Sequence, residues 1–246
     1  MYLTVQGLVL RVTPYKETDA LLTLLTADQG RLTVKARGLR RKNSPLVAPC
    51  QLLAYGEFTL FSYKDMYTIN EANAVELFSG LRKDLSKLSL GTYFAQVAEV
   101  ISQEDIPSPE LLSLVLNCLY GLSKLDLPQR QVKAVFELRM ACLAGYTPNL
   151  DGCGRCGNPE PDRFDVSEGA LECLLCRNPG SEGIRMPMNP SILEAMRYIC
   201  RCGDKQIFSF TAGDETIIAL SHITELFITT QLERSFSTLD FYKSLL

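Results

Sequence analysis

From the N-terminus to about residue 80, apolar residues recur at every second position, whereas beyond Gly80 they recur at helical spacing. Val5 to Val12 alternates around Gly7, and Ala20 to Thr26 is apolar and threonine-rich. Arg31 to Arg37 sets Leu32, Val34 and Ala36 against Arg31, Thr33, Lys35 and Arg37. Alternation of this kind gives each set its own face of a strand, so the third strand carries one apolar and one basic face. After the loop Gly38 to Pro49, strands are predicted around Ala54 to Tyr63 and Met66 to Ala74, joined by the turn Lys64-Asp65. Five short strands with no helix between them suit a small closed barrel of OB type, with an open five-stranded sheet as the competing arrangement.

The helical part begins with Asp84 to Ser102, whose apolar positions are read as Leu85, Leu88, Tyr93, Val97, Val100 and Ile101. Ser108-Pro109-Glu110 supplies an N-cap, a proline at the first helical position and an acid in the first turn. The following segment, Leu111 to Leu122, is apolar nearly all round, which predicts a helix at the centre of a bundle. Pro128 opens another helix with Val132, Val135, Phe136 and Leu143 inward, closed by Gly145. Asn189-Pro190 restarts the pattern to about Cys200, and Asp214 to Ser235 makes a last amphipathic helix through Ile217, Leu220, Ile223 and Phe227. The expected organisation is α+β: an N-terminal five-stranded OB-fold barrel over 1–80 and a helical domain over 81–147 and 187–246. A zinc ribbon over 148–186 interrupts the helical domain.

The ribbon expectation rests on four cysteines, Cys153/Cys156 and Cys173/Cys176, arranged as two CxxC pairs with sixteen residues between them. Two such knuckles can close four thiolates tetrahedrally around one Zn²⁺ and leave no open position for water, so the metal would build structure rather than catalyse. Two disulfides are the alternative. The opening Met1-Tyr2-Leu3-Thr4 lacks a charged n-region, no signal peptide is predicted, and a reducing cytoplasm favours thiolate and metal. Gly152, Gly154 and Gly157 also spell GxGxxG, but no apolar strand precedes and no helix is predicted to follow, so the dinucleotide reading is set aside. Cys50, Cys118 and Cys142 are read as small buried hydrophobes, and Cys200/Cys202 as a CxC at a helix end with no assigned role.

Composition sharpens this picture. The longest uncharged apolar helical run, Leu111 to Ser123, is too short to span a bilayer. Net charge is −3, but residues 1–80 hold nine Lys/Arg against seven Asp/Glu, while the remainder holds sixteen against twenty-one. No acidic residue lies between Asp28 and Glu57, and that interval contains Arg31, Lys35, Arg37, Arg40, Arg41 and Lys42. Such a basic strand and loop can track a phosphate backbone, with Tyr15, Phe58, Phe61, Tyr63 and Tyr67 as candidate faces for base stacking. An ordinary solvated face is the competing reading for the charges, and core packing for some of the rings. No catalytic constellation is found: His222 is the single histidine, and no Walker A, HExxH or GxSxG motif occurs.

The order of several short segments resembles the bacterial RecO family of recombination mediators. They are Gly7-Leu8-Val9-Leu10, Tyr15-Lys16-Glu17-Thr18-Asp19, Thr26 to Gly30, Ala36-Arg37-Gly38-Leu39-Arg40, Glu71-Ala72 and Leu81-Arg82-Lys83-Asp84-Leu85. Phe136-Glu137-Leu138, Leu143-Ala144-Gly145-Tyr146-Thr147-Pro148 and the CxxC pairs continue the match across nearly the whole chain. The resemblance implies a non-enzymatic, cytoplasmic, nucleoid-associated protein without membrane contact. Such a protein binds single- and double-stranded DNA, anneals complementary strands, and with RecR helps load RecA onto DNA coated by single-strand DNA-binding protein. It makes the basic strand and loop the DNA-facing surface, and it implies a site on the helical domain for the acidic C-terminal tail of the single-strand DNA-binding protein. Arg130, Lys133, Leu138 and Arg139 are the candidates for that tail. The rival functions are a zinc-ribbon scaffold that docks other proteins and an RNA-binding protein without annealing activity.

Overall fold

A computed structural model of the chain describes residues 2–64, 66–176 and 183–246; Met1, the turn residue Asp65 and positions 177–182 of the expected ribbon lie outside the described residues. The first five strands are β1 (Tyr2–Tyr15), β2 (Asp19–Thr26), β3 (Arg31–Ala36), β4 (Tyr55–Tyr63) and β5 (Met66–Glu76). They close into a barrel in the order β1-β2-β3-β5-β4, with β4 returning to β1. The pairings are antiparallel except β3 with β5, where Val34 opposes Tyr67 and Lys35 opposes Thr68. The closed barrel of OB type is therefore the arrangement adopted, not the open sheet.

Closure depends on the length of β1. Its first half pairs with β4 and its second with β2, and the two ladders overlap at Gly7 and Leu8, Gly7 opposing Gly56 on one side and Thr26 on the other. A Cβ on Gly56 would stand 2.6 Å from the Asn73 carbonyl oxygen, so a side chain there would push the strands apart. Inside, Val9, Leu22, Leu24, Val34, Phe58 and Leu60 are fully buried in one cluster. Leu8, Leu10 and Leu25 are buried too but do not join that cluster. Their strands are the ones on which α1 (Leu85–Ile101) and α2 (Pro109–Ser123) pack, which explains why Leu8-Val9-Leu10 is apolar on both faces.

Helix α1 starts where Asp84 accepts hydrogen bonds from the backbone N–H groups of Ser86 and Lys87 at 2.8 and 3.2 Å. Its buried stripe runs through Leu90, Tyr93, Phe94, Val97 and Ala98, so Tyr93 and Val97 are inward as predicted while Leu85 is exposed. Small residues Gly91, Ala95 and Ala98 had hidden this stripe. Helix α2 is not the centre of a bundle: it lies on α1 and β2, and Tyr120 is exposed. Its Ser108 makes no side-chain cap, but Pro109 does open the helix.

The chain divides into two compact units, the first running to Asp126 and resuming at Phe236–Leu246, the second Leu127–Ser235. The first thus contains the barrel, α1, α2 and a short C-terminal helix that the sequence pattern did not reveal. The second contains α3 (Gln129–Leu143), β6 (Asn149–Cys153), β7 (Arg163–Asp165), β8 (Ala170–Glu172), β9 (Arg185–Pro187), α4 (Pro190–Arg201) and α5 (Asp214–Gln231). That short helix is α6 (Ser237–Lys243), which returns to α1. There Phe236 meets Tyr93 edge-on, with ring centroids 5.5 Å apart. In the second unit α3, α4 and α5 pack on one another, with Ile217, Leu220, Ile223 and Phe227 inward as the period predicts. Among the described residues no helix is long and apolar enough to cross a membrane.

Candidate nucleic-acid interface and metal centre

Strand register brings aromatic and basic side chains together on the outside of the barrel. Leu21 opposes Lys35, Lys35 opposes Thr68, Thr68 opposes Phe61 and Phe61 opposes Tyr2. Directly opposed residues share a face, so this row crosses the barrel from β2 to the start of β1. It lines a concavity of about 500 Å³ together with Tyr15, Arg37, Tyr63 and Met66. Tyr2 and Tyr63 are each 63% exposed, and the Tyr2 and Phe61 rings lie 5.3 Å apart. Of the aromatics proposed for stacking, Tyr15, Phe61 and Tyr63 are at the surface, Phe58 is in the core and Tyr67 packs against it. Tyr2 was missed because the strand was read from Val5, although Tyr2, Thr4 and Gln6 already alternate with Leu3 and Val5 from the start of β1.

The basic loop after β3 is strapped to the β1–β2 turn. Asp19 accepts a hydrogen bond from the Gly38 N–H at 2.9 Å and an ion pair from Lys35 at 3.1 Å. These contacts, the Gly38 N–H foremost, hold the Asp19 carboxyl below its ordinary range. Gly38 adopts φ +66, a left-handed conformation that glycine accepts without strain. Arg40 donates its backbone N–H to the Thr18 carbonyl at 2.9 Å and its guanidinium to the carbonyls of Lys16 and Glu17 at 3.2 and 3.3 Å. Carbonyls position a guanidinium without cancelling its charge. Arg37, Arg40, Arg41 and Lys42 are all exposed, and no ion pair to them occurs among the described residues. Lys16, 5.6 Å from the Tyr15 ring centroid, extends this basic edge and was not among the expected residues.

The other two expected contacts differ. Lys35 is on the groove but is neutralised by Asp19 and lies 5.0 Å from the Tyr15 ring centroid. Arg31 is at the far end of β3, about 20 Å along the strand from Arg37. Its guanidinium donates to the Glu99 carbonyl at 2.8 Å and sits 3.8 Å from Glu104, so it joins the strand to the end of α1 rather than to the loop.

The four paired cysteines come together because β6 and β8 are parallel neighbours, Cys153 opposing Leu171. Parallel strands end on the same side, so the knuckle after each meets the other. In the first, the Gly157 N–H donates to the Cys153 carbonyl at 2.8 Å; in the second, the Cys176 N–H donates to the Cys173 carbonyl at 3.1 Å. All four sulfurs lie within 4.8 Å of one another, and Cys156 Sγ is 3.7 Å from Cys173 Sγ. A tetrahedral ion with Zn–S bonds of 2.3 Å requires sulfurs about 3.8 Å apart, so the cluster fits such an ion. Disulfides are not formed there. Burial pushes the Cys153 thiol up, but N–H groups of Arg155, Cys156 and Cys173 outweigh it and bring the thiol down to about 6, while the neighbouring sulfurs push Cys176 up to about 12. β6 does precede the GxGxxG letters, yet the knuckle and not a helix follows. The sheet that carries the knuckles is anchored by Phe164 edge-on to Phe227 at 5.4 Å and by Gln231 donating to the Val166 carbonyl at 2.9 Å.

The four α3 residues expected to receive an acidic tail do not form one surface. Lys133 and Leu138 are buried, because α3 is enclosed over nearly its whole circumference from Val132 to Leu138 and Lys133 turns to Ser221 and Glu225 of α5. Arg139 donates to the Cys200 carbonyl at 3.3 Å and pairs with Asp204 at 3.0 Å; Arg130 is the exposed member of the four. His222 is at the surface.

Comparison with known proteins matches the model "Recombination protein O N terminal" over residues 1–78 and "Recombination protein O C terminal" over 82–240. The chain is 32% identical to a protein named DNA repair protein RecO from Acetivibrio thermocellus over 246 residues, covering 99% of this chain and 97% of that one. It is 27% identical to the protein of the same name from Alkaliphilus metalliredigens, with both chains fully covered. It is 24% identical to that of Caldicellulosiruptor saccharolyticus, with 98% of each covered.

Proposed function

Because the chain belongs to the recombination protein O family, a family of DNA repair proteins, we propose that it is a recombination mediator that binds DNA through the barrel. The observation that carries this reading is the row of exposed rings beside a rigid, uncompensated basic loop. Single strands are bound by such combinations, a charged track for the phosphates and aromatic faces on which bases stack. Arg37, Arg40, Arg41 and Lys42 serve the phosphates, and Tyr2, Phe61 and Tyr63 the bases. A site that holds two strands by backbone and stacking contacts leaves their pairing edges free, which suits annealing of complementary strands. On this reading duplex DNA is bound through its phosphates alone.

On this reading its partners are RecR, the C-terminal tail of the single-strand DNA-binding protein, and RecA at the loading step, in the bacterial cytoplasm at the nucleoid. The four clustered cysteines hold one structural zinc. No turnover is required of the protein in any of these steps. Fluorescence anisotropy of labelled single-stranded DNA across a salt series, on wild type and an Arg37/Arg40/Arg41→Glu variant, tests the reading. Binding that persists unchanged in the folded variant moves the DNA surface off the barrel.

A further inference from the structure

Outside the metal cluster, the fold brings two more thiols together. Cys142 is in the last turn of α3 and Cys200 in the last turn of α4; they are 58 residues apart in sequence, but their sulfurs are 3.8 Å apart. Both residues are partly exposed. A disulfide needs about 2.05 Å between sulfurs, so closing the gap takes a shift of about 1.8 Å, within reach of side-chain rotation. Cys202, by contrast, is turned back on its own helix, 3.8 Å from the Ile199 carbonyl.

We propose that Cys142 and Cys200 are a dithiol oxidised by hydroperoxides, with Cys142 the attacking and Cys200 the resolving thiol. The two sulfurs are not equivalent. The contact with Cys200 is the main cause that brings the Cys142 thiol down to about 7 against its burial, helped by Thr147 and the charge of Arg139; the same contact pushes Cys200 up. In the first step the Cys142 thiolate attacks one peroxide oxygen and the O–O bond breaks. That gives a sulfenic acid at Cys142 and, from hydrogen peroxide, a hydroxide that takes up a proton to become water. In the second, the Cys200 sulfur gives up its proton and attacks the Cys142 sulfur, and the sulfenic oxygen leaves as water. Two thiols lose two electrons and one peroxide becomes two waters. The product ties the end of α3 to the end of α4.

The test uses the full-length, zinc-loaded protein treated with hydrogen peroxide, blocked with N-ethylmaleimide, and digested with trypsin and Asp-N. Cleavage at Arg139 and before Asp151 separates Cys142 from Cys153, and cleavage at Arg197 and Arg201 separates Cys200 from Cys202. The expected product is the 140–150 peptide linked to 198–201, released by reductant, with zinc still bound. In Cys200→Ser, dimedone is expected to trap a sulfenic acid on Cys142, and in Cys142→Ser no adduct is expected on Cys200. Recovery of both residues as maleimide adducts while the knuckle cysteines oxidise and zinc is released would overturn the proposal, as would a Cys200–Cys202 link.

Discussion

Lys133 Nζ lies 2.9 Å from Glu137 Oε1, one turn along α3, with the two side chains 3% and 0% exposed. Glu225 of α5 approaches the same ammonium at 2.7 Å, and Thr224 donates to Glu137 at 2.8 Å. Burial raises the Glu137 carboxyl above its ordinary range in spite of Lys133 and Thr224, and the Glu225 charge adds to the rise. Removing the cation therefore strands two carboxylates between helices. Lys133→Met is expected to destabilise the protein by about 3–5 kcal/mol, and Lys133→Met/Glu137→Leu to recover most of that loss. Urea unfolding of the two variants measures both numbers; a single variant as stable as wild type would refute the structural role given to this pair.

On the proposed reading, salt dependence counts the phosphates that the barrel neutralises. With Arg31 engaged at α1 and Lys35 paired to Asp19, four basic groups remain, which gives a slope of log K against log salt of about −3 on single strands. The slope expected from all six would be about −4. Charge reversal at Arg37, Arg40 and Arg41 should abolish most binding at low salt, whereas Arg31→Gln should leave the slope unchanged and lower stability instead.

Stacking has a different signature. Truncating Tyr63 or Phe61 to Ala should weaken single-strand binding by about 1–3 kcal/mol for each base lost, with the slope unaltered and duplex binding nearly unchanged. Anisotropy with both DNA forms checks this. Equal losses on the two forms would mean that the rings support the barrel rather than the bases.

Metal analysis should return one zinc per chain. Cys173→Ser should lose it, and since structural zinc contributes about 10–16 kcal/mol of binding in small zinc-finger peptides, the ribbon should unfold and soluble yield should fall. Chelator added to the wild-type protein should lower its melting temperature. Unchanged zinc content and melting in the serine variant would remove the site.

Acid should release the basic loop only below the ordinary carboxylate range. The folded Asp19 carboxyl titrates below its ordinary value of 3.8, so its contribution is complete above that value and is lost as pH falls through the depressed one. Carboxyl NMR should find Asp19 titrating late, with the Gly38 amide shifting in step. A Gly38 amide indifferent to that titration would break the link between them.

Some of this was legible from the chain and some could not be. Strand β3 announced itself because its alternation is a property of six consecutive residues, and Leu32, Val34 and Ala36 are indeed the inward set. The cysteine pairs were equally plain, since their spacing encodes the knuckles. What the sequence concealed depends on partners distant along the chain. Arg31 and Arg37 look alike until α1 supplies the Glu99 carbonyl, and Lys35 looks free until β2 supplies Asp19. Lys133 reads as surface charge until α5 brings Glu225 and Ser221 to it. Helix α1 was read correctly only at Tyr93 and Val97, because Gly91, Ala95 and Ala98 carry little apolar weight while allowing close packing.

The return of the C-terminus to the barrel unit has a consequence for how the protein comes apart. The second unit is inserted between Asp126 and Phe236, so the chain both begins and ends in the first. A protease that nicks the inserted unit leaves the barrel fragment and the tail fragment as separate chains still held by Tyr93 against Phe236 and by Thr238 donating to Gln96. A fragment stopping at residue 126 lacks that last helix and bares the face of α1 it covers. To make the barrel unit as one continuous chain, residue 126 must be joined to residue 236, with the final eleven residues carried along.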